Sequence, residues 1–316
     1  MYPLVSKSVL CELFGFSRQA WYDSKKRHSV KQMQEVFILK QVKILRREHP
    51  RMGAEKLLLL LAPTLQEHNI KYGRDKFFNL LGEHGLLVRR RKRGPKTTNS
   101  NHFYRKYPNL IRDIELVSSG RLWVSDITYL RTEKGFVYLS LVTDGYSKKI
   151  VGWSLWPDLT SEGALNALRM AVAGEGVKPN LIHHSDRGIQ YCCNDYVNYL
   201  KGAKINISMT ENGDPYENAV AERVNGILKG EYSLQDTFAD YHAALEAVKL
   251  AVYKYNHKRP HRSVDMMFPT DAHKQTGALK KHWRTSPDPM KHESGNRLKP
   301  VRPTRVKRKT GMKEQD

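Results

Sequence analysis

At Leu122 the chain changes its hydrophobic period, and that change narrows the folds open to it more than any other feature. From there apolar residues come in short β-rich segments, Leu122 to Leu130, Phe136 to Val142 and Lys149 to Leu155. A Glu133-Lys134-Gly135 turn separates the first two, and Gly145-Tyr146-Ser147 the next two. Short segments joined by such turns predict an antiparallel meander. Helical and strand periods then alternate. A helix is expected from Ser161 to Ala173, with Ala164, Leu165, Leu168 and Val172 on one face; a buried-type strand follows from Asn180 to His184. Next come a helix around Asp195 to Leu200 and a strand from Ile205 to Met209. Three antiparallel strands followed by alternating units imply an α/β fold, a mixed sheet with helices on its faces.

The chain before the meander reads as all-α. Ser6 to Phe14 and Ser17 to Lys26 predict two short helices around Gly15, with Ser17 placed to cap the second. A second pair is expected from Ala54 to Leu61 and from Arg74 to Leu81, the latter preceded by Gly73 and followed by Gly82 and Gly85. Both pairs have helix-turn-helix spacing, which fits DNA reading and plain bundle packing equally. After the sheet, a helix is expected from Glu217 to Tyr232, and another from Tyr241 to Tyr255. The latter's stripe of Tyr241, Leu245, Val248, Val252 and Tyr255 should pack the core rather than join subunits.

Charge divides the chain further. The 316 residues carry 54 Lys and Arg against 32 Asp and Glu, a formal net charge of +22, which points to a polyanionic partner. Eight of the bases and no acid fall between Gly85 and Pro108, including the unbroken run Arg89, Arg90, Arg91, Lys92 and Arg93. From Lys291 to Asp316 nine bases face three acids in a stretch nearly devoid of apolar residues, which predicts a disordered tail. The expected organisation is a helical helix-turn-helix-like region over 1–88, a basic linker over 89–118, a catalytic core over 119–276 and a basic tail over 277–316. Binding through the basic tracts should weaken steeply with salt, because neutralising phosphates releases counterions. The longest apolar run, Leu57 to Ala62, stops at Pro63, short of the roughly 20 residues needed to cross a bilayer. The three cysteines, Cys11, Cys192 and Cys193, form no even framework and no C-x-x-C pair. A cytoplasmic protein, without a membrane partner, is expected.

Three acids stand out from the rest. Asp126 lies inside the first strand with apolar neighbours on both sides, where a carboxylate is costly unless something pairs with it. Asp186 follows the strand Leu181-Ile182-His183-His184, at a strand's carboxyl end. Glu222 shares one face of its helix with Asn218, Asn225 and Lys229 at spacings of 4, 3 and 4. Oxygen ligands of this kind suit hard divalent cations such as magnesium. Taken singly each acid reads as solvated or bonded to local backbone, and Asp144, Asp214 and Glu217 compete on the same terms. His183 and His184 with Cys192 and Cys193 are zinc-compatible side chains, but adjacent pairs lack the spacing of structural zinc sites.

In combination the blocks carry a resemblance. D-I-T-Y at 126 to 129, H-S-D-R-G-I-Q-Y at 184 to 191 and E-N-A-V-A-E-R-V-N-G-I-L-K at 217 to 229 resemble the three catalytic blocks of the DDE transposase and retroviral integrase superfamily. Asp186 and Glu222 enclose 35 residues, the D,D-35-E spacing. The nearest likeness is to the OrfB-type transposases of the insertion-sequence family numbered three. It extends to G-R-D-K-F-F-N-L-L and G-L-L-V-R-R-R-K-R upstream and to Y-N-H-K-R-P-H-R-S at 255 to 263, about residues 50 to 275 in all. The resemblance implies an RNase H-like mixed five-stranded sheet, and assigns Asp126, Asp186 and Glu222 as the catalytic and metal-holding acids. It puts Asn218 and Lys229 at DNA-contacting positions. No His-His-Cys-Cys zinc domain of the retroviral kind is present in the N-terminal part, which has only Cys11.

The expected reaction is metal-dependent cleavage at insertion-sequence ends followed by strand transfer, with two magnesium or manganese ions per site. The expected partners are double-stranded DNA, both element ends and target, and a second copy of the chain, since two ends must meet. Fusion to an upstream OrfA product, common in the resembled family, makes this chain the expected catalytic half. A nuclease of the same fold that cuts without joining, a tyrosine recombinase that needs no metal, and an inactive DNA-binding regulator are the alternatives; the last should have lost a carboxylate, and all three are present.

Overall fold

The computed structural model describes residues 6–88, 103–112, 114–211 and 218–282. The run Arg89 to Arg93 and the tail beyond residue 282 lie outside them, as do Asp214 and Glu217. All the described residues fall in one unit, Met1–His282.

Four helices come first: α1 (Lys7–Leu13), α2 (Arg18–Glu48), α3 (Ala54–Glu67) and α4 (Arg74–Glu83). Ser6 and Ser17 cap α1 and α2, accepting from the backbone N–H groups of Val9 and Ala20. The second helix is three times longer than expected. No Gly or Pro interrupts the chain from Ser17 to His49, so nothing ends α2 at Lys26, and Ile38 and Val42 in its second half bury against α3 and α4. α3 likewise runs on through Pro63 to Glu67, because Leu57, Leu61 and Leu65 keep one buried stripe on both sides of the proline.

The meander follows as expected, with β1 (Leu122–Thr132), β2 (Gly135–Asp144) and β3 (Ile150–Trp156) pairing antiparallel. The turn between β2 and β3 is held by Asp144, which accepts from the N–H groups of Tyr146 and Ser147 through Oδ1 and from that of Gly120 through Oδ2. This competing acid is fully buried and its bonds are structural. Then come α5 (Ser161–Glu175), β4 (Ile182–Ser185), α6 (Ile189–Cys192), α7 (Asn194–Gly202), β5 (Asn206–Met209), α8 (Ala219–Glu231), β6 (Thr237–Phe238), α9 (Tyr241–Lys258) and α10 (Pro269–Ala272). β4 and β5 add parallel to the far side of β1, giving the order β3-β2-β1-β4-β5. The two-residue β6 also pairs with β1, at its C-terminal end, a small addition to the expected five strands.

One apolar cluster joins α5 and α7 to the sheet through Trp123, Leu168 and Tyr196; another joins α8 and α9 to it through Leu139, Ile227 and Val252. The stripe of α9 packs this second core, with Val248 and Tyr255 fully buried. The helical region is tied to the same side. Glu231, the last residue of α8, takes Arg259 bidentately at 2.7 Å on each oxygen and Lys56 of α3 at 3.1 Å. His49 bonds the Tyr232 hydroxyl at 3.1 Å. No helix among the described residues is long and apolar enough to cross a membrane.

Candidate active site

Strand alternation decides which side of β1 each residue serves. Trp123 packs with the α5 and α7 core, whereas Val124 and Leu130 pack with residues of α8. Asp126 shares the parity of Val124 and Leu130, and its Oδ2 accepts from Nδ2 of Asn225 on α8 at 2.7 Å. β4 runs parallel beside β1 with Val124 opposite His184. The same register carried two residues on brings Asp186 alongside Asp126, just past the end of β4. Both acids line one cavity of about 400 Å³.

Their electrostatics follow from that proximity. Burial, and then the charge of Asp186, push the Asp126 carboxyl up to about 7, against the Asn225 bond and the Ile127 N–H; Glu222 adds a smaller push. Burial also raises Asp186, opposed by the Gly188 N–H that donates to its Oδ1 at 2.9 Å. A Cβ on Gly188 would stand 3.0 Å from that same oxygen, so a larger residue there would nudge the carboxylate from its place.

Three of the four polar residues of the stripe, Asn218, Asn225 and Lys229, reach the middle of β1. Asn218, at the N-cap, is buried and donates to the Ser125 carbonyl at 3.3 Å. Asn225 holds Asp126, and Lys229 places its Nζ 4.2 Å from the centre of the Tyr129 ring. Glu222 begins the helix on the exposed side, felt by Asp126 through its charge but outside the cavity wall. Among the described residues no three His, Cys, Asp or Glu side chains converge into a ready-made metal cage. The structure thus brings together two of the three expected acids, with the third on the neighbouring helix.

Two further residues enter the site in roles that spacing alone does not assign. Asn225 is legible only as a member of the stripe, although it makes the one direct side-chain bond from α8 to Asp126. Tyr191 lines the cavity with its hydroxyl buried and, among the described residues, without a hydrogen-bond partner. The histidines stand behind the site. Burial lowers His183 to about 3, and its Nε2 lies 2.7 Å from the Ser125 Oγ and 2.9 Å from the Tyr196 hydroxyl. His184 bonds the Ser208 Oγ at 2.8 Å. Cys192, which packs with Met209, and His183 are core residues in this arrangement.

The chain matches two models of the integrase core domain, over residues 117–215 and 203–269. It is 31% identical over 265 residues to an uncharacterized 31 kDa protein of insertion element IS600 from Shigella sonnei, covering 82% of this chain and 96% of that protein. It is 30% identical to the transposase of insertion sequence IS904 from Lactococcus lactis, covering 67% and 90%. It is 28% identical to transposase InsF of insertion sequence IS3A from Escherichia coli K12, covering 79% and 86%. Among solved structures, the HTLV-2 integrase catalytic core aligns over 49% of this chain and 97% of its own at 19% identity, with a TM-score of 0.41, too loose a likeness to argue from. The integrase-core matches and relatives aligned along nearly their whole length have one meaning: the chain belongs to the insertion-sequence transposases of the IS3 type, proteins of DNA transposition and integration.

Proposed function

We propose that this transposase carries out metal-dependent cleavage at the ends of its insertion sequence and joins the freed strand to new DNA, with Asp126, Asp186 and Glu222 as the catalytic acids. The observation that carries the reading is the pair Asp126 and Asp186 on adjacent strands, lining one cavity beside the helix that bears Glu222. The donor set fits a hard divalent cation. It offers oxygen only, and Asp126, raised first by burial and then by the charge of Asp186, is a carboxylate whose ionised form a nearby cation would favour. Asp126, Asp186 and Glu222 would hold magnesium or manganese, two ions per site in this reading. When bound, the ions supply Lewis-acid stabilisation of the charge that develops at phosphorus.

The protein's own groups do the placing. Asn225 holds the Asp126 carboxylate through Oδ2, and the Gly188 N–H holds that of Asp186, which orients both acids. Lys229 brings a cation to the cavity's edge, where it can hold a phosphate of the bound strand. Hydrolysis at an element end frees a 3′-hydroxyl, which then displaces at a target phosphodiester; no bond between protein and DNA forms. Arg89 to Arg93 and the basic tail would grip the backbone. The helices of residues 1–88 would read the ends, Asn218 and Lys229 would position the terminal nucleotides, and the working form would be at least a dimer in the bacterial cytosol. Fusion to an upstream OrfA product belongs to the same proposal.

The test uses a labelled duplex carrying the element end, incubated with magnesium. Cleaved and joined products are expected, and both should vanish in chelator. Cleavage without joining would favour a nuclease, and joining in chelator a tyrosine recombinase. Asp186→Asn should abolish both steps and leave DNA binding in place. Persistent activity in that variant would refute the site assignment.

A further inference from the structure

Beside the two acids the cavity turns apolar. Tyr129, Phe136, Leu159 and Ile189 all line it, and all are unusually exposed for large apolar residues, at 36%, 47%, 49% and 43%. Scattered exposed hydrophobics need no explanation, but four gathered at one mouth mark a place where something docks. Tyr129 and Phe136 form an edge-to-face pair with ring centres 5.2 Å apart and planes at 77°. Each ring carries a cation on it: Lys229 Nζ lies 4.2 Å from the centre of Tyr129, and the Arg131 guanidinium 5.5 Å from that of Phe136.

Exposed aromatic rings, cations lying over them and adjacent carboxylates are together the complement of a single nucleotide. The base stacks on rings, the phosphate meets Lys229 or Arg131, and the neighbouring phosphodiester reaches Asp126 and Asp186. A volume of about 400 Å³ admits a ligand of nucleotide size. We propose that Tyr129 and Phe136 form a shelf that takes one unpaired nucleobase of the DNA strand next to the scissile phosphate, with Lys229 and Arg131 holding that nucleotide's backbone. The shelf would secure the strand in register over the acids, and the cost of unpairing one base would be met by its stacking. This rests on the transposase reading above.

The experiment compares two probes of the element end, each damaged at the same base pair and scanned across the pairs that flank the scissile phosphate. One keeps the base on the cleaved strand and lacks its partner; the other keeps the partner and lacks that base. Pairing is lost equally in both, so only the shelf tells them apart. By fluorescence anisotropy without divalent metal, the wild-type chain is expected to favour the first probe at one position by about ten- to a hundredfold. The variant Tyr129→Ala/Phe136→Ala should bind both probes alike, while Tyr129→Phe keeps most of the preference. Because each figure is a ratio within one protein, partial loss of folded material leaves it unchanged. If wild-type protein cleaves and joins an intact end yet binds the two probes equally at every position, the shelf is wrong and the transposase reading stands. A preference that survives in the double variant also overturns the shelf. Absence of cleavage and joining on any end brings down both.

Discussion

Asp126 is kept where its own charge is unfavourable, and this sets the pH behaviour of the site. Its ordinary value is 3.8 and its folded value about 7, so between the two the folded chain binds more protons than the unfolded one. For a raised group the stability contribution is full below about 3.8 and is lost as pH rises through about 7. Without divalent metal the wild-type chain should therefore lose stability as pH rises from about 3.8 to about 7, and Asp126→Asn should be the more stable protein above about pH 7. The gain should be roughly 1–3 kcal/mol, less than the full shift implies because the side chain is only partly shielded from water. Urea unfolding of both proteins in chelator at two pH values checks it; an unchanged difference across pH would show that the carboxylate is not under this strain. The strained acid is legible in the sequence as a charge amid apolar neighbours. Its holder Asn225 is not, because which face of α8 meets β1 depends on packing rather than on helical period alone.

At the scale of elements, α8 links the site to the N-terminal helices. Its final residue, Glu231, is lowered to about 2 chiefly by Arg259 and Lys56, in spite of burial, and Arg259 is only 1% exposed. For a lowered acid the contribution is present above the ordinary value of 4.5 and disappears as pH falls through about 2. Glu231→Gln should cost about 3–5 kcal/mol near neutrality, since it leaves the buried Arg259 charge without its counter-ion, and the cost should shrink in acid. Replacing both Glu231 and Arg259 with Met should cost less than Glu231→Gln alone. Denaturant titration of the three proteins distinguishes this from a plain surface ion pair. A second contact of the same scale lies between β3 and α5, where a Cβ on Gly152 would stand 2.1 Å from the Ala167 carbonyl oxygen. Gly152→Ala must push helix and strand apart, and a loss of about 1–3 kcal/mol or more in thermal unfolding is expected. Strand and helix positions from β1 to β5 follow from hydrophobic period and turn residues. The extent of α2 does not, because its polar first half lacks a periodic face and continues as helix only for want of a breaker before Pro50.

For the whole molecule the governing quantity is the net charge of +22, to which the stretch from Gly85 to Pro108 contributes +8 and that from Lys291 to Asp316 contributes +6. DNA affinity should fall steeply and log-linearly with salt concentration. Removing residues 291–316, which carry nine of the bases, should flatten that slope while leaving the cleavage chemistry of the core in place; an unchanged slope would take the tail out of the interface. The sequence by itself determined the alternation of strands and helices and carried the motif blocks on which the family resemblance rests, because period, turn chemistry and residue order are local or one-dimensional quantities. Only the tertiary structure decided that Asp126 and Asp186 share a cavity, that Asp144 is a turn holder, and that the end of α8 is clamped to α3 by Glu231. Each of these depends on register between strands or on contacts between residues far apart in the chain, and such contacts exist only once the sheet has closed and its faces are covered.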